Sequence, residues 1–163
     1  VLERSWFRVV LLHSDRAVAI AMGECMDQPV ILIAEDEPIV GLDLCDTIAE
    51  AGYLVEGPHA DLNSAMLAFQ KRRPDLAILD IRLNDTVVYP FAEKLIAEDV
   101  PVIFHSGHLP LDEVDARFPD APALSKPCPP GEILSQVHST LNPCDQAADE
   151  PMIDAATPDA QTV

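Results

Sequence analysis

Each of four short, largely apolar runs in this chain ends on a residue that can do chemistry. Val30-Ile31-Leu32-Ile33-Ala34 leads into Glu35-Asp36, and Leu76-Ala77-Ile78-Leu79 into Asp80. Val102-Ile103-Phe104-His105 leads into Ser106, and Ala123-Leu124-Ser125 into Lys126. Three carboxylates crowded together repel, and a divalent cation would stabilise them. Oxygen ligands with room left for water suit Mg²⁺. Such a cation neutralises phosphoryl oxygens during an in-line transfer. Asp80 could attack phosphorus and form an acyl phosphate. Lys126 could pair with a phosphoryl oxygen as a point charge, and Ser106 could donate a hydrogen bond to another. Singly, each assignment is weak, because a strand-end acid or serine is often merely solvated and a lysine is often a surface charge. Their joint placement on four run ends, in this order, carries the argument.

For these groups to meet, the runs must be strands of one parallel sheet. Continuous apolar runs fit strands buried on both faces. In a parallel sheet every carboxyl end emerges at the same edge, where open α/β sheets bind their ligands. The segments between the runs read as helices. Pro38 suits a first helical turn. Ile39, Val40, Leu42, Leu44, Ile48 and Ala49 keep helical spacing to about Ala51, and Gly52 stops it. Tyr53 to Gly57 reads as a further short strand. Asp61 or Asn63 could cap a second helix through Ala65, Met66, Leu67 and Phe69. Arg82, Leu83, Asn84, Asp85 and Thr86 read as a polar loop after Asp80, followed by a helix from about Pro90 to Glu98. Leu111 to Phe118, between Pro110 and Pro119, reads as a weak helix with few apolar contacts to hold it. A last helix is expected from about Pro130 to Leu141. Strands alternating with helices at this spacing predict an α/β fold with a parallel sheet and right-handed crossovers.

Composition bounds the rest. A chain of 163 residues, 48% of them hydrophobic, is long enough for one domain with a core, plus tails. Acids outnumber Lys and Arg by 28 to 10, for a formal net charge of −18. That argues against nucleic-acid binding, which needs a basic face, and against an anionic membrane surface. It fits a protein that meets cations or basic patches on partners. Cys25, Cys45, Cys128 and Cys144 match no zinc or C-x-x-C spacing, and are expected to be incidental or buried thiols. No apolar run approaches the ~20 residues of a membrane span, and no secretory signal is evident, so a cytoplasmic protein is expected. Residues 1–28 read as an N-terminal extension, with Trp6, Val9, Val10, His13, Ala17, Ile20 and Ala21 roughly on one helical face. Residues 143–163 lack Lys and Arg and read as an acidic disordered tail. The folded unit is expected over 29–142.

Ile33-Ala34-Glu35-Asp36-Glu37-Pro38, Leu79-Asp80-Ile81-Arg82-Leu83, Phe104-His105-Ser106-Gly107 and Ser125-Lys126-Pro127 together resemble the receiver domain of two-component response regulators. The resemblance implies a flavodoxin-like, doubly wound sheet of five parallel strands in the order 2-1-3-4-5, with five helices. It implies that Asp80 is the phosphoacceptor and that Asp36 is a direct ligand of Mg²⁺. Glu35 would help to hold the metal, often through water, and the main-chain carbonyl of Arg82 would complete the protein's ligands. Ser106 and Lys126 would contact the phosphoryl group and couple it to conformational change. The Lys126-Pro127 bond is often cis in that family.

The chain also departs from the family's pattern. Asn84, Asp85 and Thr86 stand where many receivers have a proline and a glycine. Ala123 stands where many have a switch aromatic, and Cys128 follows Lys126-Pro127. Phe104-His105-Ser106-Gly107-His108 is similar to a variant of the Phe-Ala-Thr-Gly subclass, common in stand-alone regulators. The usual hydroxyl–aromatic switch is therefore not expected unchanged, and His105 and His108 are expected to pack or be solvated.

The resemblance implies a single-domain response regulator, charged by a histidine kinase or histidine phosphotransfer protein. Its phosphoryl transfer and autodephosphorylation would be self-catalysed rather than those of a conventional enzyme. No output domain is expected after residue 142, so the output would be a contact with an unidentified protein. The alternatives are a phosphate sink, an unphosphorylated binding module, or a hydrolase with an aspartyl-phosphate intermediate. Such hydrolases usually place a second acid close after the nucleophile, where this chain has Arg82.

Overall fold

The apolar runs form the middle of a sheet. A computed structural model describes residues 28–107 and 111–142. In chain order the elements are β1 (Val30–Ala34), α1 (Pro38–Glu50), β2 (Leu54–His59), α2 (Leu62–Lys71), β3 (Leu76–Leu79), β4 (Arg82–Leu83) and β5 (Thr86–Val87). Then come α3 (Tyr89–Ala97), β6 (Val102–Ser106), α4 (Leu111–Arg117), β7 (Ala123–Ser125) and α5 (Pro130–Leu141). Five strands make one parallel sheet in the order β2-β1-β3-β6-β7. With β4 and β5 set aside, this is the expected 2-1-3-4-5 order.

Side-chain alternation along the central strands divides the core into two layers. Ile31, Ile33, Leu76, Ile78 and Ile103 face α1 and α5, where they meet Leu44, Ile48, Ile133 and Val137. Leu32, Ala34, Ala77, Leu79, Val102 and Phe104 face the other way, toward Ala65 and Phe69 of α2, Phe91 and Leu95 of α3 and Val114 of α4. A strand that must satisfy both layers has no polar position to spare, so β1 and β3 are apolar throughout.

Local chemistry sets the element ends. Of the two candidate caps for α2, Asp61 is the one used, and its carboxylate accepts from the Ser64 N–H at 2.9 Å. β2 carries one residue more than β1 opposite it, since Leu32 pairs with Glu56 but Ala34 with His59. The extra residue falls at Gly57-Pro58, a cis bond, as is Lys126-Pro127. Gly57 has φ +145°, and a Cβ there would come within 2.5 Å of the Ile33 carbonyl oxygen, so only glycine fits.

Two expectations change. The segment after Asp80 is a hairpin rather than a polar loop. Arg82 pairs with Val87 and Leu83 with Thr86 across a two-residue turn. Asn84 and Asp85 both take positive φ, 45° and 63°, as such turns require. The α4 segment is also better anchored than its sequence suggests. Val114 and Phe118 are buried, and Arg117 donates to Glu93 of α3 at 2.7 Å. Expectations for most of the N-terminal extension, for His108, Cys25 and Cys144, and for 143–163 fall outside the described residues. Cys45 and Cys128 are half-buried free thiols. No helix among the described residues is long and apolar enough to cross a membrane.

Candidate functional site

Three main-chain hydrogen bonds carry the strand pairing one residue past the strands and fix the site. The Glu35 N–H donates to the His59 carbonyl at 2.9 Å, Asp80 to Ala34 at 2.8 Å, and Lys126 to Ser106 at 2.9 Å. Glu35, Asp80 and Lys126 are thereby placed on the carboxyl edge by backbone geometry, before any side chain interacts. Asp36 follows Glu35, ahead of the Pro38 that opens α1. Ser106 ends β6, the neighbour of β3, and is buried.

The side chains converge. Glu35, Asp36 and Asp80 each offer a carboxylate oxygen within 4.8 Å of the others. Lys126 Nζ donates to Asp80 Oδ2 at 2.6 Å and to Glu35 Oε1 at 2.7 Å, and lies 2.7 Å from Glu35 Oε2. Exposed Glu37 reaches the same ammonium at 3.5 Å. The Arg82 N–H donates to Asp80 Oδ1 at 3.2 Å, while the Arg82 side chain turns outward to Asp85.

The electrostatics follow from burial and pairing. Glu35 is 2% exposed and Asp80 8%. Burial pushes the Asp80 carboxyl above its ordinary range. The bond and charge of Lys126 and the Arg82 N–H only partly offset this, and the Glu35 charge adds to it. Burial acts on Glu35 in the same sense, but His105, Lys126 and the Glu37 N–H outweigh it and hold that carboxyl below its ordinary range. Burial alone would lower Lys126, yet its two carboxylate partners hold the ammonium above its usual value. The site thus contains one carboxylate stabilised as an anion and one held there at a cost.

The donor set fits a hard divalent cation. All three side chains offer carboxylate oxygen, close enough to one another for a single ion to meet them all. Asp80, the Glu35-Asp36 pair and Lys126 come together at this edge. The Ser106 hydroxyl shares their edge without a side-chain hydrogen bond to them. Sequence reasoning missed three neighbours. Glu37 joins the lysine. His105 is buried with Nδ1 3.8 Å from Glu35 Oε2. Asn84 donates its main-chain N–H to Asp36 Oδ2 at 2.9 Å. Only the Asn84-Asp85 pair carried a sequence signal, as residues that tolerate a left-handed turn.

No protein-family model matches the chain. It is 36% identical over 96 residues to the transcriptional regulatory protein PdtaR of Mycobacterium tuberculosis, covering 58% of this chain and 46% of that one. It is 29% identical over 114 residues to the phyllosphere-induced regulator PhyR of Methylorubrum extorquens, covering 68% and 43%. The chain therefore spans less than half the length of both relatives. A response regulator receiver protein from Sinorhizobium medicae superposes with a TM-score of 0.64 at 28% identity, over 71% of this chain and 96% of that one. A CheY-like receiver domain protein from Methanospirillum hungatei gives the same TM-score at 23% identity, over 74% and 99%, a likeness of fold. With the strand order and the acidic edge already in place, these likenesses agree with one another: in fold and in sequence the chain is similar to the receiver domains of response regulators.

Proposed function

We propose that Asp80 is the phosphoacceptor of a Mg²⁺-dependent response regulator, charged by a histidine kinase or a histidine phosphotransfer protein. The observation that carries this reading is the 2.6 Å bond from Lys126 to Asp80 beside two further acids. An Asp80 oxygen attacks phosphorus, the P–N bond of the donor phosphohistidine breaks, and its electron pair leaves on the imidazole nitrogen. Lys126, freed from its bond to Asp80, holds a phosphoryl oxygen, and Ser106 donates to another. Glu35, Asp36, Asp80 and the Arg82 carbonyl would hold Mg²⁺, which would supply positive charge against the phosphoryl oxygens. Hydrolysis by water returns the free carboxylate.

In this reading the receiver unit spans residues 29–142 of a cytoplasmic protein, flanked by an extension at 1–28 and an acidic tail at 143–163. Its output is a protein contact. The −18 charge supports a protein partner over nucleic acid or an anionic membrane. The regulatory names of the two relatives support signalling as the role.

Acetyl phosphate with Mg²⁺, followed by intact-mass and peptide mass spectrometry, tests the reading. The expected result is one phosphoryl group on Asp80, absent in Asp80→Asn. A parent protein that takes no label from acetyl phosphate or a kinase would leave an unphosphorylated binding module. Continuous release of phosphate from small phosphoesters would leave a hydrolase.

A further inference from the structure

The β4–β5 hairpin stands directly beside the acidic cluster, and its turn touches the cluster at one residue. Asn84 makes two hydrogen bonds to two different segments. Its side-chain Nδ2 donates to the Ala60 carbonyl, just before α2, at 2.6 Å. Its main-chain N–H donates to Asp36 Oδ2 at 2.9 Å. Among the described residues this is the one hydrogen bond that the Asp36 carboxylate accepts. The hairpin itself is firmly seated. Leu83 and Val88 are buried, and the Val88 N–H closes its base on the Ile81 carbonyl at 3.0 Å.

We infer that Asn84 is a positioning residue of the acidic pocket: its side chain ties the turn to Ala60, and its main-chain N–H thereby holds Asp36 in a set orientation. The inference rests on the reading of Asp36 as a metal ligand. A carboxylate on a segment between a strand and a helix is free to rotate, and that freedom must be lost when it binds a cation. An N–H fixed on one oxygen removes part of the loss beforehand. The N–H can do this only if the turn is itself immobile, and the hydrogen bond from the Asn84 side chain to the Ala60 carbonyl makes it so. Residue type matters twice. The φ of 45° favours Gly, Asn or Asp over other residues, and of these only Asn has a side-chain N–H to donate to a carbonyl. Partners that orient metal ligands typically change metal affinity 10–100-fold when they are removed.

The test is Mg²⁺ binding by titration calorimetry, without phosphodonor, on the full chain of the parent, Asn84→Gly and Asp36→Asn. Glycine keeps the turn conformation and the main-chain N–H while removing the tie to Ala60. The expected result for Asn84→Gly is Mg²⁺ affinity weakened roughly 10-fold, with faster hydrogen exchange at the residue 84 amide. A purely structural role would lower the melting temperature and leave the affinity of the folded protein unchanged, and that outcome overturns the inference. Asp36→Asn separates the two failures. If it loses Mg²⁺ while Asn84→Gly binds like the parent, only the role of Asn84 is wrong. If Asp36→Asn binds like the parent, the metal-ligand reading fails and takes the inference with it.

Discussion

Lys126 Nζ donates to Asp80 Oδ2 at 2.6 Å, joining the ends of β7 and β3 across the intervening β6. The same ammonium lies 2.7 Å from both oxygens of Glu35. Without metal, one lysine is the counter-ion of two buried carboxylates. A cation entering the cluster serves the same two acids, so lysine and metal overlap in what they neutralise.

That overlap predicts the behaviour of Lys126→Met. Removing one member of a buried pair leaves the other charge uncompensated, which costs roughly 3 kcal/mol or more. The metal-free variant should melt well below the parent. Mg²⁺ should then raise its melting temperature by more than it raises the parent's, because in the variant the cation neutralises acids that have no other partner. Equal Mg²⁺ responses would show that lysine and cation do not share the site.

Asp80→Asn should behave in the opposite way. The native environment disfavours the Asp80 anion, as the upward shift of its pKa records. A neutral isostere should therefore leave metal-free stability at pH 7 unchanged or higher, while abolishing phosphorylation. The sign of the pH dependence follows. Folded Asp80 takes up its proton at a higher pH than the unfolded chain does, so the parent gains stability relative to Asp80→Asn as pH falls through the folded pKa toward 3.8. Glu35 works in reverse. Its stabilisation is present above 4.5 and is lost only as pH falls below that, through its lowered folded value. Melting curves of the pair from pH 7 to pH 4 separate the two effects, and a parent that loses ground to the variant on acidification would contradict the assignment.

Asp36 carries the metal prediction. Ligand binding to the folded state raises stability by linkage, about 2.7 kcal/mol at a ligand concentration 100 times Kd. Millimolar Mg²⁺ should raise the parent's melting temperature, and Asp36→Ala should remove most of that rise and stop phosphorylation. A parent indifferent to Mg²⁺ would count against the acidic pocket.

The parts of this structure that could be read from the sequence share a physical cause. β1, β3 and β6 must satisfy two apolar layers, so Val30 to Ala34, Leu76 to Leu79 and Val102 to Phe104 announce themselves as buried strands. Once they are parallel, Glu35, Asp80, Ser106 and Lys126 have no other edge to occupy. The hairpin was hidden because each of its strands is two residues long, too short for a periodic signal. The contacts of Asn84 were hidden for a different reason. They are made by a turn to segments 24 and 48 residues away, and composition does not report such distances. Burial of His105 beside Glu35 likewise depends on sheet register, which places it opposite Leu124.

The last prediction concerns how a phosphoryl group on Asp80 is felt elsewhere. In many receivers an aromatic on the last strand turns inward, but Ala123 has no side chain able to make that move. The aromatic residues nearby come from other elements. Phe104, Tyr89 and Phe118 cluster in edge-on and tilted contacts with ring centroids 5.1 to 6.3 Å apart, and Ala123 packs against the same core layer. Arg117 lies over the Tyr89 ring at 5.0 Å while paired with Glu93, so α4 is clasped to α3 from its far end. Ser106 ends the strand that carries Phe104, and the chain runs from it through Gly107 into α4. A shift of Ser106 toward the phosphoryl group is therefore expected to be felt at the start of α4, while Val114, Arg117 and Phe118 restrain its end. Beryllofluoride binding should change hydrogen exchange from Gly107 through the first turn of α4 and change it less at Val114 to Phe118. Uniform protection across 107–118 in both states, with the change confined to another face, would refute this route.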